Sequence, residues 1–145
     1  MFEKKMYING NLVGNSKQYD IFCPANNKRI GSFAWATEKE THQALEAATE
    51  AFDSWSNTTV QERIGWMIKL RNEVTANSDH LRECIHLEMG KPWSATQEDM
   101  DSLVNSLTFY AEEIQKRKPE LLSDKDGTHS HILKEESVGV VVAFI

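Results

Sequence analysis

The run Val138-Gly139-Val140-Val141-Val142-Ala143-Phe144-Ile145 constrains the fold of this chain more than any other stretch. β-Branched and aromatic residues without polar alternation, following Glu135-Glu136-Ser137, have the pattern of a strand buried on both faces, as inside a parallel sheet. Such a strand needs a neighbour on each side. The upstream residues offer few strands to supply them. The expectation is that the sheet lies in residues outside these 145, and that the chain is a fragment.

Turns and caps organise the rest. Residues 6–13 place Asn9-Gly10 between two short apolar stretches, which predicts a hairpin with positive φ at the turn. Residues 19–30, with Pro24 and Asn26-Asn27 leading back to Gly31, predict a second short strand pair or an extended arm. At Thr37 the period changes. Thr37-Glu38-Lys39-Glu40 is a capping box, and Ala44, Leu45, Ala48, Ala51, Phe52 and Trp55 recur at helical spacing, predicting a helix over about 38–54. A second box, Thr59-Val60-Gln61-Glu62, opens a helix with the stripe Val60, Ile64, Met67, Ile68 and Val74.

Asn77-Ser78-Asp79 predicts the cap of a third helix, with Leu81, Cys84, Ile85 and Glu88 along one side. It ends at Gly90 in left-handed geometry, and Pro92 bars it from resuming. A fourth helix starts near Ser94 or Thr96, carries Glu98, Asp99 and Asp101 at its positive end, and closes with Lys116, Arg117 and Lys118 before Pro119. Met100, Leu103, Val104, Leu107, Tyr110, Ala111 and Ile114 mark its buried face. Residues 121–128 read as a loop and residues 129–135 as a polar edge strand.

A net charge of −6 argues against nucleic-acid binding, which needs a basic face; Lys116-Arg117-Lys118 is the one local exception. No apolar stretch is long enough to span a membrane, and the polar start predicts no secretion signal. Cys23 and Cys84, without a CxxC spacing, indicate neither a zinc site nor a disulfide framework. The expected setting is the reduced cytoplasm.

The residues alone offer little chemistry. There is no GxGxxG, GxxxxGK[ST] or HExxH motif. His129 and His131 share one strand face at metal-compatible spacing but lack a third ligand, so solvated edge histidines are the better reading. Cys23 has no basic neighbour or helix start to lower its pKa, and Cys84 falls on an apolar stripe. The acids Glu98, Asp99 and Asp101 are explained by helix-start electrostatics.

Six stretches, in order, resemble the N-terminal part of the NAD(P)-dependent aldehyde dehydrogenase superfamily. They are YINGNLV (7–13), CPANNKRIGSFAWAT (23–37), AATEAFDSW (47–55), LEMGKP (87–92), FYAEEI (109–114) and ESVGVVVAFI (136–145). The EMGKP form resembles the succinate-semialdehyde and related semialdehyde branch more than the betaine or retinal branches. One departure is Cys23, where relatives usually carry Asn before the Pro.

The resemblance implies an α/β fold of the aldehyde dehydrogenase type, here only its N-terminal part, within the cofactor-binding domain. Residues 1–36 would be hairpins and arm, 37–118 a layer of about four packed helices, 128–136 the start of an oligomerisation arm, and 138–145 the first strand of the cofactor sheet. It implies a protein that oxidises an aldehyde, or a semialdehyde, to the carboxylate with NAD or NADP. Its partners would be that small molecule, the remainder of its own enzyme, and further copies in a dimer or tetramer; neither nucleic acid nor membrane is implied.

The nucleophilic Cys, the general-base Glu and the cofactor cradle of such enzymes lie beyond a strand of this type, so no catalytic or cofactor-binding residue is assigned and the chain alone is expected to be inactive. Family geometry places Ser102 and Asn105 toward the aldehyde tunnel, with plain helix surface as the competing reading. No metal set is assigned; the one position that resemblance offers to a monovalent cation is Glu88. The alternative is a stand-alone scaffold or interaction module that hides its last strand, for instance by pairing it across a dimer.

Overall fold

The computed structural model describes residues 2–117, 120–123 and 127–144. Strands β2 (Met6–Ile8) and β3 (Asn11–Val13) form the expected hairpin, with Met6 opposite Val13. Asn9 and Gly10 hold φ of 49° and 76°, the left-handed pair that a two-residue turn requires. Strands β4 (Gln18–Cys23) and β5 (Lys28–Ala34) form the second pair, closed by the Asn26 and Asn27 amides donating to the Cys23 carbonyl at 3.3 and 2.7 Å.

The sequence gives no hint of β1 (Phe2–Lys4), a short charged strand that lies parallel to β5 on the side away from β4. Gly31 permits it: a Cβ there would sit 2.0 Å from the Phe2 carbonyl oxygen, so only glycine lets the two backbones meet.

Four helices follow: α1 (Glu38–Ser56), α2 (Val60–Ala76), α3 (Ser78–Met89) and α4 (Thr96–Lys116). Both predicted capping boxes form, because Glu40 reaches back to the Thr37 amide at 2.8 Å and Glu62 to the Thr59 amide at 2.7 Å. The third cap differs. Asn77 donates to the Glu73 carbonyl at 2.8 Å and so closes α2 rather than opening α3, the two helices meeting too tightly for its side chain to turn forward.

Helix α4 packs mainly against α2, and α3 against α4 and β4. The described core is small: Cys23, Ala34, Ile64, Val74, Met100 and Ala111 are its buried apolar residues. The predicted α1 stripe is largely uncovered, with Ala44, Leu45, Ala48, Ala51 and Trp55 all exposed, since α1 touches little beyond β2. Leu103 and Tyr110, assigned above to the buried face of α4, are exposed as well, because no described element lies over them.

Part of the predicted 121–128 loop is strand. β6 (Glu120–Ser123) pairs antiparallel with β7 (Ser130–Leu133), the edge strand expected from its polar pattern. Lys118, Pro119 and Ile145 lie outside the described residues. Residues 134–144 form neither helix nor strand there, and Val138 and Phe144 are 91% and 94% exposed.

Candidate functional site

Two features concentrate specific interactions: the corner between α3 and α4, and the outer face of α4. At the corner Gly90 takes φ of 66°, ending α3 in the left-handed geometry expected of it. A Cβ there would lie 3.0 Å from Pro24 Cγ and 3.1 Å from the Ala25 nitrogen, so the helix end also seats the β4–β5 turn. Lys91 Nζ bonds both carboxylate oxygens of Asp99, at 2.9 and 2.7 Å, bridging the turn to the first turn of α4. The His86 imidazole donates through Nδ1 to the Lys91 carbonyl.

Arg82 ties the corner together. Its guanidinium lies 4.2 Å from the centre of the Trp93 ring, and its Nε donates to Thr96 Oγ1 at 3.1 Å. Thr96 is fully buried and donates in turn to the Trp93 carbonyl at 2.8 Å. A buried hydroxyl with both capacities used is stable only while its partners stay in place. An open cleft of about 680 Å³ runs beside this cluster, with His80, Glu83, His86 and Trp93 on its walls.

Helix α4 shows two different faces. Thr96, Met100 and Ala111 are buried on one. Ser102, Asn105, Ser106 and Phe109, at steps of three, one and three, share the other and are exposed. Phe109 and Tyr110 meet edge to face at 5.3 Å while remaining 54% and 60% exposed. Ser102 and Asn105 thus sit on one uncovered face, and no described element closes a tunnel over them.

The other candidates fall into place chemically. Asp99 is held by Lys91 and Asp101 accepts from Gln97 at 2.8 Å, so these acids serve the helix start. Burial, then the negative charge of Glu88, push the Cys84 thiol above its ordinary value, the reverse of what a nucleophile needs. Cys23 is buried. Glu88 is exposed on the last turn of α3, and the described residues contain no group of three or more His, Cys, Asp or Glu that would hold a metal ion. His131 lies on β7 opposite Leu122, and both His129 and His131 have interaction partners.

Residues 12–145 match the family described as the aldehyde dehydrogenase family. The chain belongs to that family. It is 30% identical over 131 residues to D-glyceraldehyde dehydrogenase (NADP(+)) of Thermoplasma acidophilum, covering 89% of this chain and 26% of the relative. It is 25% identical over 145 residues to succinate semialdehyde dehydrogenase of Acinetobacter baylyi, covering 99% of this chain and 30% of the relative. Among solved structures, a betaine aldehyde dehydrogenase point mutant from Staphylococcus aureus, in complex with NAD+, superposes with a TM-score of 0.78 at 25% identity. That match covers 84% of this chain and 25% of the other. An NADP-dependent enzyme of E. coli gives a TM-score of 0.79 at 25% identity, over 86% of this chain and 26% of that one. The chain therefore has the aldehyde dehydrogenase α/β fold over a quarter to three tenths of those relatives' length.

Nicotinamide cofactors are bound or named in these family members. The caps of α1 and α2 are filled by Glu40 and Glu62. Protein atoms crowd the Cβ positions of Gly31 and Gly90, leaving no space for a pyrophosphate. None of these four backbone positions is open to such a group.

The Arg82–Trp93–Thr96 cluster is the feature that sequence reading missed. Arg82 and Trp93 are separated by the Gly90 turn, so no helical period links them; the sequence signals were only an Arg next to Leu81 of the α3 stripe and a Trp straight after Pro92.

Proposed function

We propose that this chain is the N-terminal portion of the cofactor-binding domain of an NAD(P)-dependent aldehyde dehydrogenase that oxidises an aldehyde of the semialdehyde class to its carboxylate. The observation that carries the reading is the family match running unbroken from residue 12 to 145. Relatives named for semialdehydes, such as the succinate semialdehyde dehydrogenase of Acinetobacter baylyi, support the substrate class.

In this reading residues 1–36 are hairpins and arm, 37–118 the helical layer, 128–136 the start of an arm that pairs subunits of a cytoplasmic dimer or tetramer, and 138–145 the first strand of the cofactor sheet. The uncovered face of α4 is scaffold for the aldehyde site, with Ser102 and Asn105 turned toward substrate. Glu88 stands where a monovalent cation would be met. A thiolate is the nucleophile such chemistry requires. Cys23 is buried and the Cys84 thiol is held protonated, so these 145 residues shape a site without performing the reaction.

An immunoblot of the native source, with an antibody against residues 37–118, tests the reading. A band several times heavier than a 145-residue chain is expected, and that heavier protein should reduce NAD or NADP with succinic semialdehyde while the purified 145-residue chain does not. A native band at the size of the 145-residue chain, or aldehyde-dependent NAD(P)H formation by that chain, would overturn it. Within the heavier protein, Asn105→Leu should raise the KM for the aldehyde and leave that for the nicotinamide unchanged.

A further inference from the structure

One pair of side chains on α3 takes no part in the corner. His80 and Cys84 stand one turn apart, and the imidazole Nε2 lies 4.0 Å from the thiol Sγ. That separation is long even for a hydrogen bond to sulfur, and neither side chain has another hydrogen-bond partner among the described residues. His80 is exposed and Cys84 half-buried, so the gap between the two atoms is open to solvent. A tetrahedral zinc ion, with bonds of about 2.1 Å to nitrogen and about 2.3 Å to sulfur, sets two such ligand atoms about 3.6 Å apart. A small turn of either side chain closes the difference without moving the backbone.

The surroundings suit a cation. Of the charged groups whose fields reach the Cys84 thiol, Glu88 and Glu83 are acidic and Lys4 is basic, and Glu88 acts most strongly. The cleft of about 680 Å³ borders His80 and Glu83, which leaves room for the waters that an ion with few protein ligands keeps.

We propose that His80 and Cys84 form a two-ligand chelate for a zinc-like divalent cation, with water in its remaining positions. Imidazole and thiolate together select such an ion over magnesium or calcium, which take oxygen ligands. Binding sends the thiol proton to solvent, one per ion, because a coordinating thiol is deprotonated outright. With only two protein ligands and a proton to displace, the dissociation constant falls on the order of tens of micromolar near neutral pH. The two ligands stand together only while α3 is helical, so the ion favours the folded chain. The site goes beyond the family reading and does not depend on it.

Calorimetric titration of the 145-residue chain with Zn²⁺, its thiols kept reduced, tests the site together with urea denaturation in the presence and absence of the ion. Binding of one ion and a raised unfolding midpoint are expected. His80→Gln and Cys84→Ser should each weaken binding about tenfold or more and abolish the shift, and Mg²⁺ should produce neither effect. Each variant is compared with its own metal-free midpoint, so a change in stability alone moves nothing. Three results overturn the proposal: an unchanged midpoint with Zn²⁺, binding that survives both substitutions, or binding that is lost with His131→Gln instead.

Discussion

The α3–α4 corner and residues 134–144 differ in a way hydropathy does not foretell. The corner is built largely from polar groups, yet it closes on itself: Arg82 covers Trp93, Thr96 is fully buried, and Lys91 meets Asp99. The C-terminal segment has the most apolar run in the chain and stays exposed. The difference lies in where the partners are. The hydrogen-bond partners at the corner are within 14 residues in sequence, brought round by one left-handed turn, whereas a strand's ladder partners come from distant chain. Apolar character states a demand for burial, and topology decides whether it is met.

The largest expected effect falls on the corner. Arg82→Ala removes the ring contact and the donor to the buried Thr96 hydroxyl, and should lower the unfolding free energy by about 2 kcal/mol in a urea titration followed by circular dichroism. Arg82→Lys should recover little of it, since an ammonium cannot both stack and donate in the guanidinium's plane. Equal stability of Arg82→Ala and the parent would break the contrast. Gly90→Ala should cost somewhat less, roughly 1–2 kcal/mol, from the left-handed φ and the pressure on Pro24 and Ala25.

Acid should loosen the helical layer next. Hydrogen bonds from the Thr37 hydroxyl and then its amide hold the Glu40 carboxyl below its ordinary 4.5, and the Thr59 amide and then its hydroxyl do the same for Glu62. A depressed folded pKa contributes stability that is present above 4.5 and lost as pH falls below it through the folded value. Glu62→Gln should flatten that acid limb in denaturation curves taken at several pH values, and an unchanged limb would remove the cap from the account.

The smallest effect belongs to the segment that packs on nothing described. Phe144→Ser should leave the unfolding free energy of the monomer within about 0.5 kcal/mol. A larger loss would show that the run is covered in solution and would erase the comparison with the corner.

Local rules carried much of this chain. Asn9-Gly10 specifies its hairpin because few dipeptides accept two left-handed residues, and Thr37 with Glu40, or Thr59 with Glu62, specifies a helix start because the reciprocal bonds span only three residues. Gly90 was legible for the same reason. The six ordered stretches also made the family legible, though no single one of them carries chemistry.

What the sequence left open is what depends on distance along the chain. Periodicity marked Ala44, Ala48, Trp55 and Tyr110 as helix-face residues, but whether a face is covered depends on elements far from it, and here those faces stand exposed. The parallel β1 strand rests on the missing Cβ of Gly31, and the Arg82–Trp93 stack on a turn that folds two helices together. Caps and turns are settled by residues three or four apart, so the sequence determined them; burial and long-range pairing need surfaces brought together from afar, and only the tertiary structure decided those.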